Sequence, residues 1–281
     1  MIGISVGILS IYHGVSFDSA LDMANDMENT GNTKFFMLFQ HLGMFILPAI
    51  VFSWLTTSNS LRFFRLDQHP SAMSLLIVTF PVFTALPFIN WSGALNESIH
   101  LPSLLNDIET VFRDMEEIAG EIMKKLLGGK EISSLLINIC LIAILPAIGE
   151  ELFFRGSMQN MAVGLMKNVH LGIWVTAFLF SCWHLQFFSF LPRFILGGLL
   201  GYLYVWSGSL WLPMMAHFAN NLMGVVFIYL TENKIVESNL DEIGSDLDTG
   251  IYVLFSIPIS ALLIYSIFKI EAKKRALVEH S

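Results

Sequence analysis

Apolar residues fall in runs long enough to cross a bilayer, near 34–56, 72–92, 133–150, 169–190, 192–206, 210–230 and 251–268, with short polar breaks between them. The pattern predicts an all-α, polytopic transmembrane bundle of about seven or eight helices. Residues 1–12 are apolar but short, the stub of a first helix or the end of a longer one. With no basic leader and no small-residue cleavage site, they do not read as a signal peptide. One stretch has a different rhythm. Between Leu101 and Leu127 apolar residues recur every three or four positions among charges, and Gly128 and Gly129 end the run. That spacing predicts one amphipathic helix over 101–127, outside the membrane and packed on the bundle or the bilayer surface. A role in gating substrate is the sharper alternative. After Pro146 nothing breaks the helical spacing before Lys167 and Asn168, so 132–166 reads as one long helix that places Glu150 and Glu151 in its middle. The chain divides into 1–131, with the first membrane helices and the amphipathic helix; 132–230, a helical core; and 231–281, an acidic loop, a last membrane helix and a basic tail.

Composition agrees with a membrane protein. Hydrophobic residues make up 54% of the chain, charged residues only 14%, and the mean hydropathy is positive. The net charge of −8 conceals a sorting by loop. Residues 13–33 hold four acids and no base, 93–132 eight acids and four bases, and 231–250 six acids and one base. Residues 57–71 hold Arg62 and Arg65 against Asp67, and the C-terminal tail from Lys269 holds four bases against two acids. Bases mark the cytoplasmic side, so the expectation is a multi-pass cell-membrane protein with the acidic loops outside and the C-terminus cytoplasmic. Acidity of this kind does not favour nucleic acid as a partner; the lipid bilayer is the surrounding. The two cysteines, Cys140 and Cys182, lie in apolar runs and read as small buried hydrophobes. Oligomeric state cannot be read from such a pattern.

A carboxylate at membrane depth costs about 2.5–3.5 kcal/mol on insertion scales and marks function by default. Glu150, Glu151 and Arg155 interrupt one span, His184 another, and His217 and Asn221 a third. Glu150 precedes Lys167 by 17 residues and His184 follows it by 17, so an antiparallel hairpin brings the two level. Counting through the turn at 207–209 returns His217 to a similar depth. At about 100° per residue, Glu151 and Arg155 share a face and can pair, while Glu150 lies about 140° from Arg155 and stays free. His217 and Asn221 share a face, as do Phe180 and His184; Asn220 points away. A carboxylate and an imidazole at one depth can activate water, and a second histidine with an amide can hold an oxyanion. Two histidines and one or two glutamates are also zinc ligands, although the H-E-x-x-H spacing is absent. His13 and His41 read as interfacial or core histidines, His170 as solvated at a turn, and Arg193 as snorkelling to the outer interface, with contact to a substrate carboxylate as its alternative. Phe188 and Phe190 could border a cleft.

Glu150-Glu151-x-x-x-Arg155, Phe180-x-x-x-His184 and His217-x-x-x-Asn221, in that order on apolar helices, resemble the three motifs of the CAAX-protease and bacteriocin-processing family (CPBP or Abi) of intramembrane endopeptidases. The Ras-converting CAAX endopeptidase is one of its members. The likeness covers roughly 132–230. It implies that Glu150 and His184 activate water, that His217 and Asn221 form the oxyanion hole, and that Glu151, Arg155 and Phe180 support them, with no metal or other cofactor. The implied substrate is a membrane-associated peptide or protein, with CAAX-like ones included. A catalytically silent scaffold, or a bacteriocin self-immunity protein of the same family, is the alternative. No stretch of the sequence stands out as a prenyl pocket.

Overall fold

The computed structural model describes residues 6, 10, 11, 14–25, 29–236, 243–245 and 249–279. The stub at 1–12 is largely outside the described residues, as are His13 and, from the acidic loop at 231–250, residues 237–242 and 246–248. All regular structure among the described residues is helical. After a short helix at Phe17–Asn25 come α1 (Thr30–Thr56), a broken pair α2 (Ala72–Thr84) and α3 (Leu86–Glu97), the amphipathic α4 (Asn106–Leu127), α5 (Ile132–Met166), α6 (Val169–Trp183), α7 (Phe190–Ser207), α8 (Trp211–Glu232) and α9 (Ile251–Glu279). Helices α1, α5, α7, α8 and the part of α9 up to Leu277 are long and apolar enough to cross a membrane. The α2–α3 pair passes the same test as one span bent by 47°. Large apolar side chains such as Trp54, Leu76, Leu254 and Leu262 are exposed on these helices, as lipid-facing surfaces require.

The long helix over 132–166 is present, and its end has a local cause. Lys167 adopts a left-handed conformation with φ of 51°, and the Asn168 side chain accepts the Leu171 amide at 3.1 Å to start α6. The hairpin is tight because Gly172 lacks a side chain: a Cβ there would lie 2.8 Å from the backbone nitrogen of Val163. Helix α6 is shorter than the expected 169–190. His184 closes it, Leu185 takes φ of 52°, and the Ser181 hydroxyl bonds the Phe190 carbonyl across the turn at 2.6 Å. The last helix runs past the expected 268 through Glu279, where helix-forming Lys, Ala and Glu continue it, and buried Glu271 accepts the Ser71 amide at 2.9 Å. Neither cysteine is buried. Cys140 is exposed on α5, and Cys182 on α6 lines an apolar cavity with Phe112, Phe178 and Phe187, surroundings that suit a thiol.

Two helices share a device. Widened π-helical turns at Leu42–Ile46 and Ile139–Ile144 each end on the isoleucine of an Ile-Leu-Pro tripeptide, which puts Pro48 in α1 and Pro146 in α5 two residues further on. Proline cannot donate to the carbonyl four residues back and its ring clashes there, so the widened turn accommodates it without breaking the helix. A third π stretch, Leu152–Gln159, follows the glutamate pair. Helices α1 and α5 approach closely at Gly149, where a Cβ would stand 3.1 Å from Ile46 Cγ1. From α5, Arg155 and Gln159 donate to the carbonyls of Gly197 and Gly201 on α7, each at 3.1 Å. Small residues spaced by four let the two backbones come together for these bonds.

Candidate active site

A cavity of about 560 Å³ opens between α1, α4, α5, α7 and α8, and Glu150, His184, His217, Asn220 and Asn221 all border it. The depth count from sequence therefore puts Glu150, His184, His217 and Asn221 where the fold assembles them. Glu151 and Arg155 lie behind the wall, fully buried and joined at 2.7 Å. The Arg155 guanidinium also stacks 4.6 Å from the Phe180 ring centre, and that ring stands 5.0 Å from His184 and 6.0 Å from His217. Phe180 thus lies between His184 and the Arg155 guanidinium, while His217 touches the ion pair directly through Glu151.

Hydrogen bonding dictates which nitrogen each histidine turns to the cavity. His184 Nδ1 lies 2.8 Å from the Phe180 carbonyl, which can only accept, so Nδ1 carries the proton and Nε2 is the free nitrogen. His217 Nδ1 lies 2.8 Å from Glu151 Oε1. Because Arg155 holds Glu151 as a carboxylate, His217 Nδ1 must also donate, which leaves Nε2 toward Glu150 Oε2 at 3.9 Å. Asn221 is oriented in the same manner. Its Oδ1 accepts from the Asn220 amide at 3.2 Å, so its own Nδ2 remains a donor.

Three residues depart from the sequence expectation. His41, read as a core or interfacial histidine, reaches Glu150: its Nδ1 bonds the Met37 carbonyl at 3.1 Å and its Nε2 stands 3.5 Å from Glu150 Oε1. The signal was present, since an ionisable group within an apolar span marks function by the same rule that singles out Glu150. Asn220, expected to face away, shares the cavity with Asn221. Arg193 borders the cavity rather than simply extending to an interface, and it bonds Gln186. Phe188 lies under the Arg113 guanidinium at 4.0 Å and Phe190 lines a separate apolar cavity. His170 is exposed at the turn and bonds the Tyr202 hydroxyl at 2.9 Å.

The amphipathic helix forms part of the wall. Met123 and Leu127 of α4 line the cavity, and Glu116 accepts the Phe188 amide at 2.8 Å and the Ser189 hydroxyl, tying α4 to the turn that carries His184. Asn96 holds the other side of that turn, donating to the Phe187 carbonyl at 3.0 Å and accepting the Leu191 amide at 2.7 Å. Among the described residues, no three His, Cys, Asp or Glu side chains are grouped closely enough to hold a metal ion.

Residues 132–223 match the family described as type II CAAX prenyl endopeptidase Rce1-like. The chain is 33% identical over 103 residues to an uncharacterized protein YpbD of Bacillus subtilis, covering 35% of this chain and 48% of that protein. It is 30% identical over 109 residues to an uncharacterized 24.3 kDa protein of Escherichia coli, covering 37% of this chain and 50% of that protein. The chain spans about half the length of the curated relatives it matches. No solved structure matches it significantly. The chain thus carries an Rce1-like domain of a CAAX protease family, at residues 132–223, within a multi-pass helical membrane protein.

Proposed function

We propose that this protein is an intramembrane endopeptidase that hydrolyses peptide bonds of membrane-associated substrates with water activated by Glu150 and His184. The observation that carries the reading is the convergence of Glu150 and three imidazole Nε2 atoms, none of them tied to a backbone group, around one cavity. Glu150 borders that cavity, and its buried Oε2 has no hydrogen-bond partner among the described residues, so it is open to accept from a water.

Water held between Glu150 and His184 Nε2 loses a proton to this pair as its oxygen attacks the scissile carbonyl. The oxyanion is met by the Asn221 Nδ2 donor and by the His217 ring, held from behind through its Nδ1 bond to Glu151. Collapse of the tetrahedral species breaks the C–N bond, and the proton taken from water passes to the leaving amine. His41 orients Glu150 from the side opposite His217. A second cavity of about 450 Å³, lined by Phe112, Met115, Phe178, Phe187 and Phe190, lies between α4, α6 and the turn after α6 and suits a lipid chain on the substrate. That agrees with the prenylated substrates named for the family.

The C-terminal tail is placed in the cytoplasm on its bases, and the cavity on the side of α4. The test is cleavage of quenched fluorescent peptides, with and without a lipidated C-terminal cysteine, by wild type beside Glu150→Gln. Cleavage that survives in Glu150→Gln would overturn the mechanism. Absence of any cleavage by both, with both folded, would favour the scaffold reading.

A further inference from the structure

Arg193 is the one Lys or Arg among the described residues that borders the active cavity, and no carboxylate forms an ion pair with it. No carboxylate lies within 4.0 Å of this half-buried side chain, whereas the fully buried Arg155 has Glu151 at 2.7 Å. The carboxylates close enough to act on its charge are Glu116 and Glu150. Glu116 is already committed through both oxygens to Phe188 and Ser189. Glu150 lies beyond ion-pair distance, between His41 and His217. One terminal nitrogen of Arg193 bonds Gln186, and the other, Nη1, is buried with no partner.

Its placement adds to the imbalance. Arg193 is in the first turn of the 18-residue α7, where the helix dipole is positive and disfavours a cation. The turn before it is pinned by Asn96 and Glu116, which fixes the backbone from which Arg193 projects. Arg193 also borders a second cavity of about 410 Å³ between α3 and the start of α7, and so stands at the wall between that space and Glu150. A half-buried guanidinium with an unpartnered nitrogen is costly, and a bound anion reduces that cost.

Resting on the peptidase reading, we infer that Arg193 binds a carboxylate of the peptide substrate, so that the segment beyond the scissile bond lies in the cavity beside α3. A planar guanidinium with a free edge matches a carboxylate in two parallel hydrogen bonds, a geometry that lysine does not reproduce. The carboxylate can be the substrate's C-terminus or an Asp or Glu side chain.

The test uses full-length protein in nanodiscs and fluorescein-labelled nonapeptide libraries. One library ends in a free carboxylate without Asp or Glu, one is its C-terminal amide, and one is the amide with Asp and Glu included. Binding is measured on wild type, Arg193→Gln and Arg193→Lys, and cleavage is measured in parallel. We expect wild type to retain a carboxylate library roughly 10- to 100-fold better than the plain amide, the span of a charge-assisted pair. Arg193→Gln should lose that preference while treating the amide as wild type does, with the change in KM rather than kcat, and Arg193→Lys should recover only part of it. Preference for the free C-terminus or for the acidic amide identifies the source. Equal retention of all three libraries by wild type overturns the inference. So does an equal loss on acid and amide in Arg193→Gln, which would make the arginine an electrostatic support of Glu150. Discrimination in binding without any cleavage would sustain the carboxylate site and count against the peptidase.

Discussion

His41 Nε2 stands 3.5 Å from Glu150 Oε1, so a residue of the first membrane helix meets the central carboxylate of a domain that begins about ninety positions later. Close approach of α1 and α5 at Gly149 makes the contact possible. Replacing His41 by Ala should lower kcat on the order of 10²-fold with little change in KM, the effect of a misplaced catalytic group. His41→Gln, which can still donate to the carboxylate, should recover part of the rate. An Ala variant with unchanged kcat would remove His41 from the mechanism.

The chain Arg155, Glu151, His217 has both contacts on one oxygen, Glu151 Oε1, at 2.7 and 2.8 Å. Arg155→Ala should destabilise the protein by about 3–5 kcal/mol because it strands a buried carboxylate. Arg155→Met with Glu151→Leu should regain much of the thermal stability in detergent. It should remain inactive, because His217 then has nothing to hold its tautomer. Recovery of activity in the double variant would show that this chain is structural only.

Asn221 and Asn220 should separate by role. Asn221→Ala removes the proposed oxyanion donor and should cost about 10²- to 10³-fold in kcat. Asn220→Ala removes the group that orients it, so its loss should be smaller and absent in an Asn221→Ala background. Additive losses, measured as a double-mutant cycle on kcat, would deny the coupling.

Glu109 secures the start of α4. It accepts the Leu101 amide at 2.7 Å and pairs with Arg113 and His100, and these contacts lower its carboxyl pKa to about 2, the Leu101 bond contributing most. A depressed carboxylate adds stability that is present above its ordinary value of 4.5 and is lost as pH falls through the folded value. Amide exchange protection at residues 101–106 should therefore persist at pH 6 and fall between pH 4.5 and 2. Glu109→Gln should show the low-pH exchange pattern already at pH 6.

Hydrophobic runs made the helical membrane architecture legible from sequence, because a bilayer compels every spanning segment to satisfy its own backbone. The pairing of Glu151 with Arg155 was equally legible, being set by helical spacing within one element. The meeting of Glu150 with His184 and His217 followed from counting residues across tight hairpins. Other features required the assembled helices. The end of α6 at Trp183 depends on a positive φ at Leu185 and a bond between Ser181 and Phe190, neither of which leaves an apolar periodicity to read. His41 and Arg193 looked like ordinary histidine and arginine, since their neighbours come from other helices: Glu150 for the one, and for the other a set of carboxylates already engaged elsewhere. Spacing along a chain determines what a helix presents on each face; which face meets which is decided by packing, through small residues such as Gly149 and Gly172 where the backbones come close.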